Sequence, residues 1–430
     1  MKNFLKNGVT AVLTFEAQML LKRRKPKIVG ITGSVGKTST KDAIYTVLKD
    51  HLHARKSEKS FNSDIGVALT VLGLRNAWNN PLLWLKNIVD GALHAFFTRD
   101  YPEVLVLEMG VDRPGDMERL TKWITPDIAV LTRFPDVPVH VEYFSSPEQV
   151  AEEKMALARG LAPDGICVYN HDDEIIVRHL EEIRQQCIGF SRYSPSQFTA
   201  SGDTVIYDGS APAGVEFVLT HVNEEEERFV VMGSLGQQHL YSYAAAAAVG
   251  SLFDISLKDA AAALTDHQPP QGRMRLIEGL SGSVIIDDTY NSSPTACEHA
   301  IQALHELRIG GRKIAVLGDM LELGQYSVRE HERIGEFLAG KVDVLVTVGV
   351  RAQKIAERAL EFGMSEKAVF SYDEAPQAAE QLEEMAGKGD VILVKASQGI
   401  RAEKIVKALM KDPSKAAALL VRQDEAWERK

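Results

Sequence analysis

The chain has 430 residues, too many for one ordinary hydrophobic core, and its composition (45% hydrophobic, 25% charged) is that of folded globular domains. A net charge of −10 excludes a general nucleic-acid binder, so any anion site must be local rather than a broad basic face. The cysteines, Cys167, Cys187 and Cys297, stand far apart without metal-ligand spacing and read as thiols of a reducing cytoplasm.

The first 25 residues place Phe4, Leu5, Val9, Val12, Leu13, Leu20 and Leu21 near helical spacing and close on Lys22-Arg23-Arg24-Lys25. The basic residues come last rather than first, which argues against a signal peptide and predicts an amphipathic leader helix over 1–25. Lys27 to Ile31 reads as a buried strand, Thr32 to Gly36 as a glycine turn, and Lys37 onward as a helix through Ala43, Ile44, Val47 and Leu48. A strand that runs through such a turn into a helix N-terminus aims backbone N–H groups and the positive helix end at one point, a phosphate site. Gly33 and Gly36 let the backbone close on the anion, Lys37 supplies a point charge, and the Thr38 hydroxyl can ligate Mg²⁺. The glycine that a full P-loop carries five residues before Gly36 is Ile31 here.

Phe61 to Gly66 opens an apolar helix running from Val67 to Leu74, with Asn62 or Ser63 as its expected cap. A further apolar helix is expected over 78–97, with Trp84, Leu85, Ile88, Val89, Leu93, Phe96 and Phe97 at helical spacing. Both it and the leader suit packing on their own protein, and both also fit contact with a membrane surface. Val104 to Leu107 reads as a buried strand ending in Glu108, where α/β nucleotide enzymes place a carboxylate that organises Mg²⁺. Residues 127–131 form the next strand, leading to a loop with His140. Ser146 and Pro147 open a helix whose Glu152, Glu153 and Lys154 read by default as a solvated charge cluster. From about 188 to 235, short alternating segments separated by glycines and by the run Glu224 to Glu227 predict a small antiparallel sheet beside a parallel one. After a linker over 266–272, strands and helices alternate again, with polar strand ends at Asp287-Asp288, Gly318-Asp319 and Lys395-Ala396-Ser397. The fold expected is α/β: a P-loop-type central ATPase domain over 26–270, then a doubly wound, Rossmann-like domain over 271–430, with a cleft between them.

Several stretches together resemble the Mur ligases of peptidoglycan synthesis, most closely the branch that adds D-alanyl-D-alanine to a muramoyl tripeptide. They are ITGSVGKTSTK, FNSDIGVALTVL and VLEMGVDRPGDMERLTKWITPDIAVLT in the first domain. In the second they are GRMRLIEGLSGSVIIDDTYNSSP, VLGDMLELGQYSVREHERIG and GDVILVKASQGIRAEKIVKAL. The resemblance implies that the turn (Thr32, Gly33, Ser34, Val35, Gly36, Lys37, Thr38 and Ser39) holds ATP, with Thr38 and Glu108 organising Mg²⁺. It implies His140 near a second Mg²⁺, and Lys154 as a carbamylated lysine that serves as an anionic metal ligand. Arg273 would reach the phosphates and Asp288 the ribose, with Asn291 nearby; Asn62, Ser63 and Ser397 are substrate-facing candidates. The catalytic set expected is Lys37, Glu108, Lys154 and Arg273.

The same resemblance implies an ATP-dependent ligase that makes an amide through an acylphosphate, with a peptidoglycan precursor and D-alanyl-D-alanine as substrates. It is expected to be a cytoplasmic monomer, peripheral at the inner membrane face, with no nucleic-acid partner. The family's usual N-terminal UDP-binding domain is expected to be absent, since some 30 residues precede Gly33. The run from Thr132 to His140 is longer than the family's, Leu240 and Tyr243 stand where asparagines are usual after His239, and Gln398 replaces a common arginine. Two other readings share the sequence: a ligase of the same core with a different acceptor and amine, or a nucleotide-binding scaffold without catalysis.

Overall fold

The strand that feeds the phosphate turn lies at the centre of a sheet. In the computed structural model, which describes residues 2–58, 61–78, 80–223, 225–424 and 427 with side chains from Asn7 onward, this strand is β1 (Lys27–Thr32). Phe4, Leu5, Ser60 and Glu224 fall outside the described side chains. The other strands of the first sheet are β2 (Ala54–Lys56), β3 (Val104–Glu108), β4 (Ile128–Leu131), β5 (Ile166–Asn170), β6 (Gln186–Ser191), β7 (Phe198–Asp208), β8 (Ala211–His221) and β9 (Glu226–Met232). Their order is β2-β3-β1-β4-β5-β6-β7-β8-β9. All neighbours as far as β7 are parallel, and β7–β8 and β8–β9 are antiparallel. The antiparallel strands expected after residue 188 thus extend the parallel sheet through β6.

Both faces of this sheet are covered, which is why its strands read as unbroken apolar runs. Val29, Ile31, Val106 and Val130 pack under helix α2 (Lys37–Leu48) and the alanine-rich helix Gln238–Ser251. Ile28, Leu105, Leu107 and Leu131 face the opposite layer, to which helix α1 (Lys2–Arg24) contributes Leu13, Ala17 and Leu20 and helix α3 (Asp64–Leu72) contributes Val67 to Leu72. Against α1 lies helix α4 (Pro81–Phe97), and Asn80 caps it by accepting from the N–H groups of Leu82 and Leu83. Asn87 and His94 tie α4 to the backbone carbonyls of Arg75 and Leu72.

The second sheet comprises β10 (Arg275–Glu278), β11 (Val284–Asp288), β12 (Lys313–Gly318), β13 (Val344–Val348), β14 (Val369–Tyr372) and β15 (Val391–Lys395), ordered β10-β11-β15-β12-β13-β14. Only the β10–β11 pair is antiparallel. Helices cover both of its faces. β2, β10 and β14 have no counterpart in the sequence reading: each has only three or four residues, at an edge. In the central strands, register sets Asp288 beside Lys395 and Ile31 beside Glu108. The carboxyl ends of both sheets therefore look into one cleft.

Candidate active site

The turn after β1 is built by two left-handed glycines. Gly36, at φ 90°, is the N-cap position of α2 and leaves the helix N-terminus open. At Gly33, φ is 148° and a Cβ would collide with the Thr132 hydroxyl. That hydroxyl, at the end of β4, donates towards Val35 O (2.7 Å) and Thr32 O (3.1 Å) and braces the turn from behind. Thr132 was legible only as part of a lengthened loop, because its partners come from a strand 100 residues away.

Several candidates line a single cavity of about 310 Å³: Gly33, Ser34, Val35, Lys37, Asn62, Glu108, His140, Lys154, Arg273 and Asn291. Lys37 folds back so that Nζ donates to Gly33 O at 2.6 Å, and burial lowers its pKa. Thr38 donates to Glu108 Oε2 at 3.0 Å, and Glu108 is almost wholly buried with Lys41 Nζ 4.0 Å away. Asn62 does not cap α3: its Nδ2 reaches Glu108 Oε1 at 3.4 Å. Ser63 occupies the N-cap position without a side-chain hydrogen bond and lines a neighbouring hollow with Asn62, Asp64 and Arg113.

Lys154 is 3% exposed rather than solvated, because its helix (Pro147–Arg159) turns this face onto the cavity. Burial first, then the charge of Lys37, pushes its pKa down to about 7. Glu153, beside it, faces elsewhere and accepts from the N–H groups of Gly115 (3.0 Å) and Met117 (2.8 Å). His140, expected as an exposed loop residue unless the resemblance holds, is drawn in: Nδ1 lies 2.6 Å from Glu322 of the second sheet's domain and Nε2 3.4 Å from Asp112. The hydrogen bond from His140 holds Glu322 below the usual carboxylate range. Asp112 and Glu322 carried no signal in the sequence, since each meets His140 only in the fold, Asp112 within the first domain and Glu322 across the cleft.

From the opposite wall, the Arg273 guanidinium stacks 4.1 Å over the Tyr290 ring. The ring's other neighbour is Arg422, 5.7 Å from the centroid, which donates to Thr289 O and Tyr290 O and pairs with Glu403 at 3.0 Å. Asp288 is held by Lys395 Nζ at 2.6 Å, and the same amine donates to Asn291 O at 3.1 Å. This pair shares a second, smaller hollow with Gly36, Thr38, Ser39, His239 and Arg273. Ser397 does not reach the cavity: it is 2% exposed and accepts from Leu321 N at 2.9 Å. Leu240 and Tyr243 face the core, and Tyr243 stacks on Phe217 and reaches Ser234.

The donor set fits a magnesium polyphosphate. Thr38 and Glu108 offer hard oxygen ligands side by side. Around them Thr32 Oγ1, Ser34 Oγ, Arg273 Nε and His239 Nε2 are buried without a hydrogen-bond partner among the described residues. Burial pushes His239 down to about 4, so it faces the cleft neutral.

A phosphate turn on one parallel sheet, faced by an arginine and a Lys–Asp pair from a second, defines a two-domain nucleotide-dependent enzyme of the P-loop kind. The profile of the Mur ligase middle domain matches residues 31–250, and that of the Mur ligase glutamate ligase domain matches residues 272–398. The chain belongs to the Mur ligase family. It is 32% identical to the UDP-N-acetylmuramoyl-tripeptide–D-alanyl-D-alanine ligase of Bacillus subtilis, over 92% of this chain and 79% of that one. The enzyme of the same name from Mycobacterium leprae is 30% identical over 90% of this chain and 74% of its own length. Among solved structures, the MurF ligase of Thermotoga maritima in complex with ADP is similar at a TM-score of 0.76 and 26% identity, covering 94% of this chain and 84% of that one.

Proposed function

We propose that this chain is an ATP-dependent carboxylate–amine ligase that adds D-alanyl-D-alanine to a muramoyl-tripeptide precursor. The convergence of Lys37, Glu108, Lys154 and Arg273 on one cavity between two sheets carries this reading. A carboxylate is a poor electrophile. Its oxygen attacks the γ-phosphorus of ATP, giving an acylphosphate and ADP; the amine then attacks the acyl carbon and expels phosphate, releasing a proton. Both reactants of the first step are anionic, so the site must offset repulsion and stabilise charge as it shifts. Lys37 and the N–H groups of the turn do this from one wall and Arg273 from the other, while Asp288, held by Lys395, binds the ribose. Thr38 and Glu108 would hold Mg²⁺, which supplies further charge neutralisation when bound. At a pKa of about 7 much of Lys154 is neutral amine, the form that adds CO₂; as a carbamate it would become a second anionic metal ligand beside His140.

Phosphate release is the direct test. In this reading it requires ATP together with both the UDP-muramoyl tripeptide and D-alanyl-D-alanine. Release with other pairs only would assign the same core to another acceptor, and no release with any pair would leave a scaffold. The enzyme acts as a monomer, since one chain supplies both walls of the cleft, and contacts the inner membrane face peripherally through α1 and α4.

A further inference from the structure

Helix α4 is amphipathic in the wrong direction for a helix that serves its own core. The residues it buries are Asn87, Gly91 and Ala95. Leu82, Leu85, Val89, Leu93, Phe96 and Phe97 are all at least half exposed and recur at three- and four-residue steps, on one arc that faces away from the protein. Trp84, grouped with them by spacing, instead turns partly inward and donates to Trp78 O at 2.8 Å. The neighbouring α1 leaves Val12, Phe15 and Met19 exposed as well. Soluble monomers rarely present so long an apolar ridge.

Charge says what covers it. Residues 2–25 and 75–99 together hold nine lysines and arginines against two carboxylates, Glu16 and Asp90, in a chain whose net charge is −10. One of the two, Glu16, is buried, and Asp90 is paired with Lys86. Arg23, in the basic cluster that ends α1, donates to Phe96 O and Thr98 O, which fixes that cluster beside the aromatic end of the ridge. Exposed Trp78 precedes α4. An apolar arc with aromatic residues at both ends and cations around it matches the layering of a lipid interface: acyl chains under the ridge, anionic headgroups at its border.

We propose that α4 is a lipid-docking helix for anionic bilayers, with its Leu82-Leu85-Val89-Leu93-Phe96 ridge seated among acyl chains and the basic end of α1 on the headgroups. This rests on the peripheral reading given above and names its surface and its lipid.

The test is flotation of the full-length protein with extruded vesicles of phosphatidylglycerol and phosphatidylcholine, or of phosphatidylcholine alone, beside phosphate release from soluble substrates. Binding is expected to be at least about tenfold tighter to the anionic vesicles and to weaken in 0.5 M salt. Leu93→Asp/Phe96→Asp and, separately, Leu85→Gln/Val89→Gln should each lower it by about tenfold or more while ligation of soluble substrates is unchanged. Equal binding to both vesicle types overturns the anionic preference and leaves the peripheral reading standing; wild-type binding by both variants overturns the proposal together with the part of that reading that names α4. No binding to any vesicle overturns both. Self-association in sedimentation that the variants abolish would make a second copy the occupant and overturn the lipid. Ligation is scored separately, so its absence would count against the proposed reaction alone.

Discussion

At Lys154, burial and the neighbouring Lys37 push the ammonium pKa down to about 7, which makes the neutral amine accessible near neutral pH. Replacing it with alanine should cut turnover by about 10²–10³-fold, and millimolar acetate or formate should restore part of it if the working species is a carbamate. Lys37→Ala should lose at least as much, with no rescue. Glu16 shows the same physics with the opposite sign. Its carboxyl is enclosed between α1 and α4, Oε2 has no partner, and a Cβ at Gly91 would collide with it. Burial raises its pKa from 4.5 to about 7. A pKa raised in the folded state favours folding below pH 4.5 and loses that contribution as pH rises through 7. The melting temperature of the wild type should therefore fall, between pH 5 and 8, relative to that of Glu16→Gln. A parallel course for the two proteins would mean that Glu16 does not titrate in the fold.

Among the elements, the phosphate turn and its helix were legible because their chemistry is local: a strand, two glycines, a lysine and a threonine within a dozen residues. The brace on Arg273 was not. Arg422 touches the backbone of Thr289 and Tyr290, and Tyr290 carries Arg273 on its ring, so an arginine more than 130 residues further along the chain completes the stack. Arg422→Ala should raise the KM for ATP by about three- to tenfold with little change in kcat, since charged hydrogen bonds of this kind are worth about 1.5–3 kcal/mol and only part acts through Tyr290. Arg422→Lys should recover some of the loss; an unchanged KM in both would show the stack to be passive. The reading of Asn62 as a cap failed for a related reason. Cap chemistry and cleft chemistry use the same side chains, and only the approach of Glu108 decides between them. Lys154 looked solvated because it was grouped with its neighbours Glu152 and Glu153, although its three- and four-residue steps from Val150, Ala151, Leu157 and Ala158 set it on the buried face of the helix.

On the scale of the whole molecule, the alternation of strand and helix sufficed to expect two α/β layers and a cleft, whereas the short edge strands β2, β10 and β14 depend on pairing partners that composition does not reveal. The cleft is joined directly by His140 and Glu322, and further out by Tyr207, whose hydroxyl accepts from Arg308 N at 2.8 Å. A nucleotide gripped from both walls should stabilise both sheets together. At 100 times its Kd, ATP with Mg²⁺ should add about 2.7 kcal/mol, a rise of roughly 3 °C in a single melting transition of a chain this long. In Arg273→Ala the second sheet's domain should melt first, with less of that gain. Two separate transitions in the liganded wild type would show that the nucleotide engages one wall only.

The stack on Tyr290 also sets an order in time. The turn at residues 33–38 and the arginine at 422 are made nearly 400 residues apart, so at ordinary ribosomal speed roughly 20 to 80 s pass between them. A growing chain thus owns a finished phosphate turn long before the prop behind its arginine exists, and tight hold on the nucleotide comes late in synthesis. A ribosome-bound fragment that ends before 422 should therefore hold ATP about three- to tenfold more weakly than the finished chain.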